Sequence, residues 1–356
     1  MTSRQRVRTA FDHREPDRVP AWCGASPEFR AMARERLGLG DNDEALSLHL
    51  GDDFRRVFTR YAGPPERSPS SCFIHPSATS RTPFGVERHG YGYGQPLDHP
   101  LAGAESPADV ARFPWPDPDW MDVSAIRSEA LAWKGEFAVL GGDWSPFFHD
   151  AIDLFGMERF MTLLLDGPAA VEAALERIVD YYAAVSRRIF EAAAGAVDIF
   201  FIGNDFGTQN GPIVSREMFR RFFLPPLRRL IGLGHAFGLK VMLHCCGGFA
   251  PLIPDMIAAG LDGLQSLQPD ARDMAPARLK RLYGRDILLN GCIDTHHLLI
   301  RGTPDLVRRE TRAILEIMKP SGGYVASPSH DYLLPETRVD NVLALYETVR
   351  EFGGYD

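Results

Sequence analysis

The sequence predicts an α/β chain folded as a single (β/α)8 barrel over residues 1–356, and three observations predict it. From about residue 136 onward, short β-branched and apolar runs alternate with longer helical patterns, the order expected of βαβ units around a parallel sheet. Six such runs lie in that stretch, and Arg18-Val-Pro-Ala-Trp22 supplies a first strand; one more from the irregular stretch at 62–122 would make eight. A length of 356 residues suits one large barrel, and no Gly-x-Gly-x-x-Gly follows an early strand, which places a doubly wound sheet second.

Taken in order, the N-terminal 16 residues are rich in Arg and Asp and lack the apolar core of a signal peptide. Residues 62–122 form the most irregular stretch, rich in Pro, Ser, Gly and His and closing on Phe113-Pro-Trp-Pro-Asp-Pro-Asp-Trp120. Proline at that density prevents helix and central strand, so the stretch reads as a long surface excursion with one short strand near Gly85-Val-Glu-Arg88. Strands follow at 137–141, 197–202, 240–244, 263–267, 287–290 and 323–326. Helices are predicted over 169–194 (one or two), 216–237, 275–282, 304–318 and 339–352. Thr303-Pro304-Asp305 is an N-cap followed by proline in the first turn.

Composition narrows the function classes. Hydrophobic residues make up 45% and charged residues 24%, enough apolar material for a full core. The net charge is −8 and no basic stripe is present, which argues against a nucleic-acid partner. No apolar run approaches the ~18 residues of a membrane span. Cys23, Cys72, Cys245, Cys246 and Cys292 are odd in number and too sparse for a disulfide framework, so a reducing, cytoplasmic setting is expected.

A barrel carries its chemistry at the C-terminal ends of its strands. The run ending in His244-Cys-Cys-Gly-Gly248 delivers an imidazole and a thiol two positions apart. In extended backbone His244 and Cys246 face one way and Cys245 the other. Such a pair suits a borderline-soft ion such as zinc. His330, after the last strand in Ser327-Pro-Ser-His-Asp331, is a third ligand candidate or a catalytic group. Cys292, in Asn290-Gly-Cys-Ile-Asp294, competes for that ligand position. Asn204 and Asp205 follow the apolar run Phe200-Phe-Ile-Gly203, with Gln209 close behind. Asp205 is a candidate general base or charge stabiliser. Trp144 and His149 lie in an aromatic stretch able to line a pocket, and Asn290 and Asp294 are further substrate-binding candidates. Against each stands a structural alternative: a satisfied core histidine, an Asx-turn, an N-cap for Asp294.

These stretches carry a resemblance. Phe11-Asp-His-Arg-Glu-Pro-Asp-Arg-Val-Pro20, Gly203-Asn-Asp-Phe-Gly-Thr-Gln-Asn-Gly211, His244-Cys-Cys-Gly247, Asn290-Gly-Cys-Ile-Asp294, Ser327-Pro-Ser-His-Asp331 and Pro335-Glu-Thr-Arg-Val-Asp-Asn341 together make the chain resemble the uroporphyrinogen decarboxylase superfamily over nearly its whole length. The resemblance implies a (β/α)8 barrel, often a homodimer, with its site in the barrel mouth. True decarboxylases carry an Arg-Gln-Ala-Gly-Arg segment that binds substrate carboxylates. After its first strand this chain reads Trp22-Cys-Gly-Ala-Ser-Pro-Glu-Phe29 instead, and Pro146-Phe-Phe-His-Asp-Ala-Ile152 stands where a tyrosine of the decarboxylase site is expected. Asp52 or Asp53 would correspond to the decarboxylases' aspartate.

The superfamily's other branch is similar to this chain in His244 and Cys246, which match the first two zinc ligands of corrinoid-linked methyltransferases. That resemblance implies a zinc-assisted methyl transfer between a small O-, N- or S-methyl compound and cobalamin carried by a partner corrinoid protein, since no Asp-x-His-x-x-Gly corrinoid-binding motif occurs here. Two alternatives stay open: a metal-free decarboxylase of a carboxylated tetrapyrrole or smaller acid, with Arg55, Arg56 and Arg60 as carboxylate binders, and a barrel that binds a tetrapyrrole or corrinoid without turnover.

Overall fold

Seven parallel strands follow one another around a common axis in chain order: β1 (Phe54–Arg56), β2 (Ala138–Gly141), β3 (Ile199–Gly203), β4 (Lys240–His244), β5 (Gly263–Leu267), β6 (Leu288–Ile293) and β7 (Tyr324–Pro328). This computed structural model describes residues 1–67, 79–90 and 94–355. Parts of the predicted 62–122 excursion, Cys72 among them, lie outside the described residues. The eighth stave is the segment Pro20-Ala-Trp22, which joins both edges of the sheet. Trp22 N–H donates to Ala326 O (3.1 Å) and Ala326 N–H to Pro20 O (2.9 Å), while Asp53 N–H donates to Ala21 O (2.9 Å). The ring is therefore closed, with no sheet edge left to pair. Pro20 has no N–H to offer, in keeping with a stave held at single bridges and not by a full ladder.

The predicted first strand thus lies in the barrel wall, but the missing eighth comes from β1, upstream of the excursion and not from within it. Phe54-Arg-Arg56 is three residues long and two-thirds cationic, so it carries no apolar run. Tertiary contacts make it a strand: Arg55 stacks on Phe137 (3.8 Å) and pairs with Glu44 (2.7 Å), while Phe54 points into the barrel.

Side chains alternate across the staves. Trp22, Phe54, Leu140, Phe201, Met242, Leu288 and Val325 fill the barrel, and Val7 and Phe11 of the helix Ser3–Phe11 join that same cluster from the N-terminal end. Asp53 fixes this end. Fully buried, it accepts Arg6 Nη1 (2.6 Å), Arg18 Nη1 (2.8 Å), Arg18 Nη2 (3.0 Å) and Ala21 N–H (2.7 Å). Neither Asp53, held there, nor Asp52, buried with its Oδ1 on Phe54 N–H (3.1 Å), lines the large cavity of the mouth.

A second, larger core lies between the barrel and its helices. The 169–194 prediction is one helix, Pro168–Ala193. The 216–237 prediction is broken: Arg216–Met218 runs into a wide π turn, Phe219–Phe223, before Leu224–Ala236 resumes. Pro225 and Pro226 lack N–H groups, and placing them in the first turn after the break leaves no helical bond unmade. The helices Pro27–Leu37 and Asp43–Leu50, which the sequence reading left out, carry N-caps at Ser26 and Asn42. Within the excursion, Thr79–Arg81, Glu87–His89 and Gln95–Pro96 form a small antiparallel ribbon. Buried Arg88 clasps this ribbon to the helix Phe147–Phe155 through Asp153 and, at 3.6 Å, Asp150.

Candidate functional site

Two strand ends bring the chemistry together. β3 is buried throughout and stops at Gly203, so Asn204 and Asp205 emerge at the rim. β4, its neighbour, delivers His244 and then Cys245, Cys246 and Gly247. The two loops touch backbone to backbone. A Cβ on Gly207 would lie 2.6 Å from Cys246 O, and one on Gly247 would lie 2.6 Å from the Gly207 carbonyl carbon. Gly247 also sits at φ +81°, where glycine is at ease. With both side chains absent, Gly248 N–H reaches Thr208 O (2.7 Å) and Cys246 N–H reaches Asp205 Oδ1 (2.7 Å).

The result is a triangle of donor atoms. His244 Nε2 is 3.4 Å from Cys246 Sγ and 3.3 Å from Asp205 Oδ1, and all three donors lie within 4.8 Å of one another. Cys245 turns away into the outer core, where its sulfur accepts Phe206 N–H (3.3 Å). Below the triangle, β5 pairs Gln265 with His244 in register. Gln265 Oε1 sits 2.6 Å from His244 Nδ1, which directs the ring proton to Nδ1 and leaves Nε2 facing the sulfur and the carboxylate.

Electrostatics follow from burial and closeness. Burial disfavours a charged His244, yet the Cys246 sulfur and the Asp205 carboxylate beside it carry its pKa well above the ordinary value. Burial would raise the Asp205 carboxyl, but His149 and His244 outweigh it and hold it well below the carboxylate range. Burial raises the Cys246 thiol.

The donor set fits zinc. Ordinary zinc bond lengths at a tetrahedral angle require donor separations of about 3.3–3.6 Å, and the two separations across His244 Nε2 are 3.4 and 3.3 Å. One imidazole, one sulfur and one carboxylate suit a borderline-soft ion, and Gln265 is the outer partner such a histidine requires.

The triangle opens into a cavity of about 630 Å³ lined by Arg56, Phe58, Trp144, His149, Tyr181 and Asp331 among others. Trp144 lies with its ring 5.2 Å from that of His244. His149 Nε2 accepts Asp205 N–H (3.1 Å) and stands 3.5 Å from Asp205 Oδ2. Asn204 also meets the cavity, but both ends of its buried amide are engaged: Oδ1 accepts Phe148 N–H (2.9 Å) and Nδ2 donates to Ser145 O (3.0 Å).

Other predicted site residues lie elsewhere. His330 is not in the triangle: it lines a separate cavity of about 500 Å³ with Gln209, Asp294 and His297, its Nδ1 on the Tyr332 backbone. The loop is turned that way by Ser329, whose N–H donates to Ile293 O (2.7 Å) and whose carbonyl accepts Ser266 Oγ (3.0 Å). Asp331, one residue on, meets the large cavity instead. Cys292 has φ +71° and is buried in the outer core, its thiol pushed up to about 12 by burial. Asp205 therefore holds the place proposed for either. Asn290 is sealed in the barrel against Ser327 Oγ (2.6 Å), Gln209 Nε2 donates to Asp270 O (3.0 Å), and Asp294 caps the turn Thr295–Ile300 through His297 N–H (2.8 Å).

Two contributors leave little trace in the sequence, and a third stands among the predicted carboxylate binders. Gln265 had one signal, an amide inside an apolar strand. The Arg88 clasp had none, because it joins an irregular ribbon to a distant helix. Arg56 was offered together with Arg55 and Arg60, yet only it meets this cavity: Arg55 pairs with Glu44, and exposed Arg60 stands 3.5 Å from Glu129.

The profile of the uroporphyrinogen decarboxylase (URO-D) family matches residues 103–352. A solved methyltransferase from Methanosarcina mazei superposes with a TM-score of 0.65, covering 99% of each chain at 21% identity, and so shares the fold. A search of curated proteins by sequence finds no match. Among the described residues no helix is long and apolar enough to cross a membrane.

Proposed function

Because the chain belongs to the uroporphyrinogen decarboxylase family, we propose that it is an enzyme of the methyl-transferring kind found within that fold, moving a methyl group between a small O-, N- or S-methyl compound and the cobalamin of a separate corrinoid protein. One observation carries the reading: three metal-type donors from two adjacent strand ends converge, and two of them, Asp205 and His244, line a roomy cavity. The shared fold of a methyltransferase supports it.

His244, Cys246 and Asp205 would hold zinc, which when bound supplies a Lewis acid for the heteroatom that carries or accepts the methyl group. Two anionic donors and one imidazole balance a dication, and a carboxylate, harder than a second thiolate, favours an oxygen or nitrogen substrate over a thiol. Gln265 keeps Nε2 of His244 directed at the site. Asp205 engages Oδ1 with Cys246 N–H and turns Oδ2 toward His149, whose ring fixes the orientation of the carboxylate. Trp144 supplies a flat apolar wall that excludes water from the reacting carbon.

The decarboxylase alternative asks for several free cations in one cleft. Of the two arginines that line this cavity among the described residues, Arg88 is engaged with Asp153 and Asp150, which leaves Arg56. The test is elemental analysis of the purified chain, followed by spectral titration of cob(I)alamin with methoxy- and methylamino-compounds. About one zinc per chain and enzyme-dependent appearance of methylcobalamin are expected. Metal-free protein that turns over uroporphyrinogen would overturn the reading, and spectral binding of cobalamin without methyl transfer would favour the non-catalytic barrel.

A further inference from the structure

We propose that Arg56 is the docking group for a carboxylate on the substrate, so that the cavity selects a small aromatic acid with its reacting group at the opposite end. The identity of that reacting end rests on the methyl-transfer reading; the recognition of charge does not.

The arginines buried elsewhere in the molecule define the contrast. Arg6 pairs with Asp17 and Asp53, Arg55 with Glu44, and Arg88 with Asp153. Each meets the rule that a guanidinium taken out of water is matched by a carboxylate. Arg56 breaks it. Among the described residues no carboxylate forms an ion pair with it, and its Nε is buried without a hydrogen-bond partner. Asp143 is near enough for Arg56 to oppose the burial-driven rise of its carboxyl pKa, but that carboxylate accepts Ser145 N–H (3.2 Å) and does not pair.

Arg56 is held in place all the same. Its guanidinium carbon lies 4.9 Å from the Phe58 ring centre, 5.2 Å from that of Phe201 and 5.3 Å from that of Trp144. Three ring contacts fix the position of a planar fork and leave its donors unpaired, the state suited to bidentate capture of a carboxylate. The location fits a substrate role. Arg56 ends β1 at the mouth, and the Trp144 ring that it contacts also lies 5.2 Å from the His244 ring. One flat body lying along Trp144 would present its acid to Arg56 and its other end toward the donor triangle. Phe58 and Tyr181 line the same cavity and suit an aromatic body.

The test is calorimetric binding of benzoate and of its neutral isostere benzamide to the full-length chain, as purified and after chelator treatment. Benzoate should bind the wild type at least about tenfold more tightly than benzamide in both preparations. Arg56→Gln should abolish that preference. If Arg56→Gln binds neither probe, Arg56→Lys decides: retained preference for benzoate supports the assignment and its loss overturns it. Equal binding of the two probes, no benzoate binding, a preference that survives Arg56→Gln, or one that vanishes with the metal would each overturn it. Neither probe carries a methyl group and the metal-free arm is included, so failure here is read separately from failure of methyl transfer.

Discussion

The two ends of this barrel each hold a carboxylate among nitrogen partners, and they use it in opposite ways. At the N-terminal end Asp53 accepts three bonds from Arg6 and Arg18 and one from a backbone N–H, so every partner is permanently charged or permanently a donor. At the mouth Asp205 faces two imidazoles and one N–H, and its Oδ2 is left beside a half-exposed histidine. Saturation by guanidinium makes a clamp. Imidazole and backbone partners, with one oxygen unsaturated, leave the carboxylate free to take a further partner. The lesson is that a buried acid is assigned by the completeness and permanence of its partners, not by burial.

Substitutions can break this comparison. Cys246→Ala should have the largest effect, abolishing metal retention by elemental analysis and turnover with it, while the fold persists by circular dichroism. Asp53→Asn should cost about 3–5 kcal/mol of stability in urea titration, because a fully buried acceptor of buried Arg6 and half-buried Arg18 loses its charge. Asp205→Asn should change stability by no more than about 1 kcal/mol yet lose metal; equal destabilisation by the two Asn variants would erase the distinction. Gln265→Leu keeps every donor but frees the His244 ring, and zinc affinity should fall about 10–100-fold in competition with a chelator.

The smallest effect concerns Asp52, whose carboxyl burial pushes up to about 7. A folded-state value above the unfolded value of about 4 means that the folded chain holds the proton more tightly, so stability falls as pH rises from about 4 to about 7. Asp52→Asn should flatten that slope and gain on the order of 1 kcal/mol at pH 8, read from thermal melts at pH 5 and pH 8. A slope unchanged by the substitution would remove Asp52 as its source.

Much of the fold was legible because strands β3 to β7 are apolar runs buried on both faces, separated by helices with ordinary caps. β1 was not, since three residues with two arginines have no periodicity to read and become a strand only where Phe137 and Glu44 receive Arg55. The site was legible as far as adjacency along the chain carries it. His244 and Cys246 share a strand end, and Asp205 follows an apolar run directly. Position around the ring was not legible. Sequence places His330 and Cys292 at the rim but not at the right point on it: β7 lies three staves from β4, and the backbone at Cys292 turns its sulfur outward, whereas β3 is the immediate neighbour of β4. Gln265 became visible only with the register that sets it opposite His244, and Arg56 only once its two neighbouring arginines were seen to be paired.

The contact between Gly207 and Gly247 ties the two donor-bearing loops into one rigid jaw. Any missense change at either codon introduces at least a methyl group where the opposing main chain already stands. The two positions thus form one heritable unit, and a descendant of this gene that keeps the donor triangle must have kept both without a side chain.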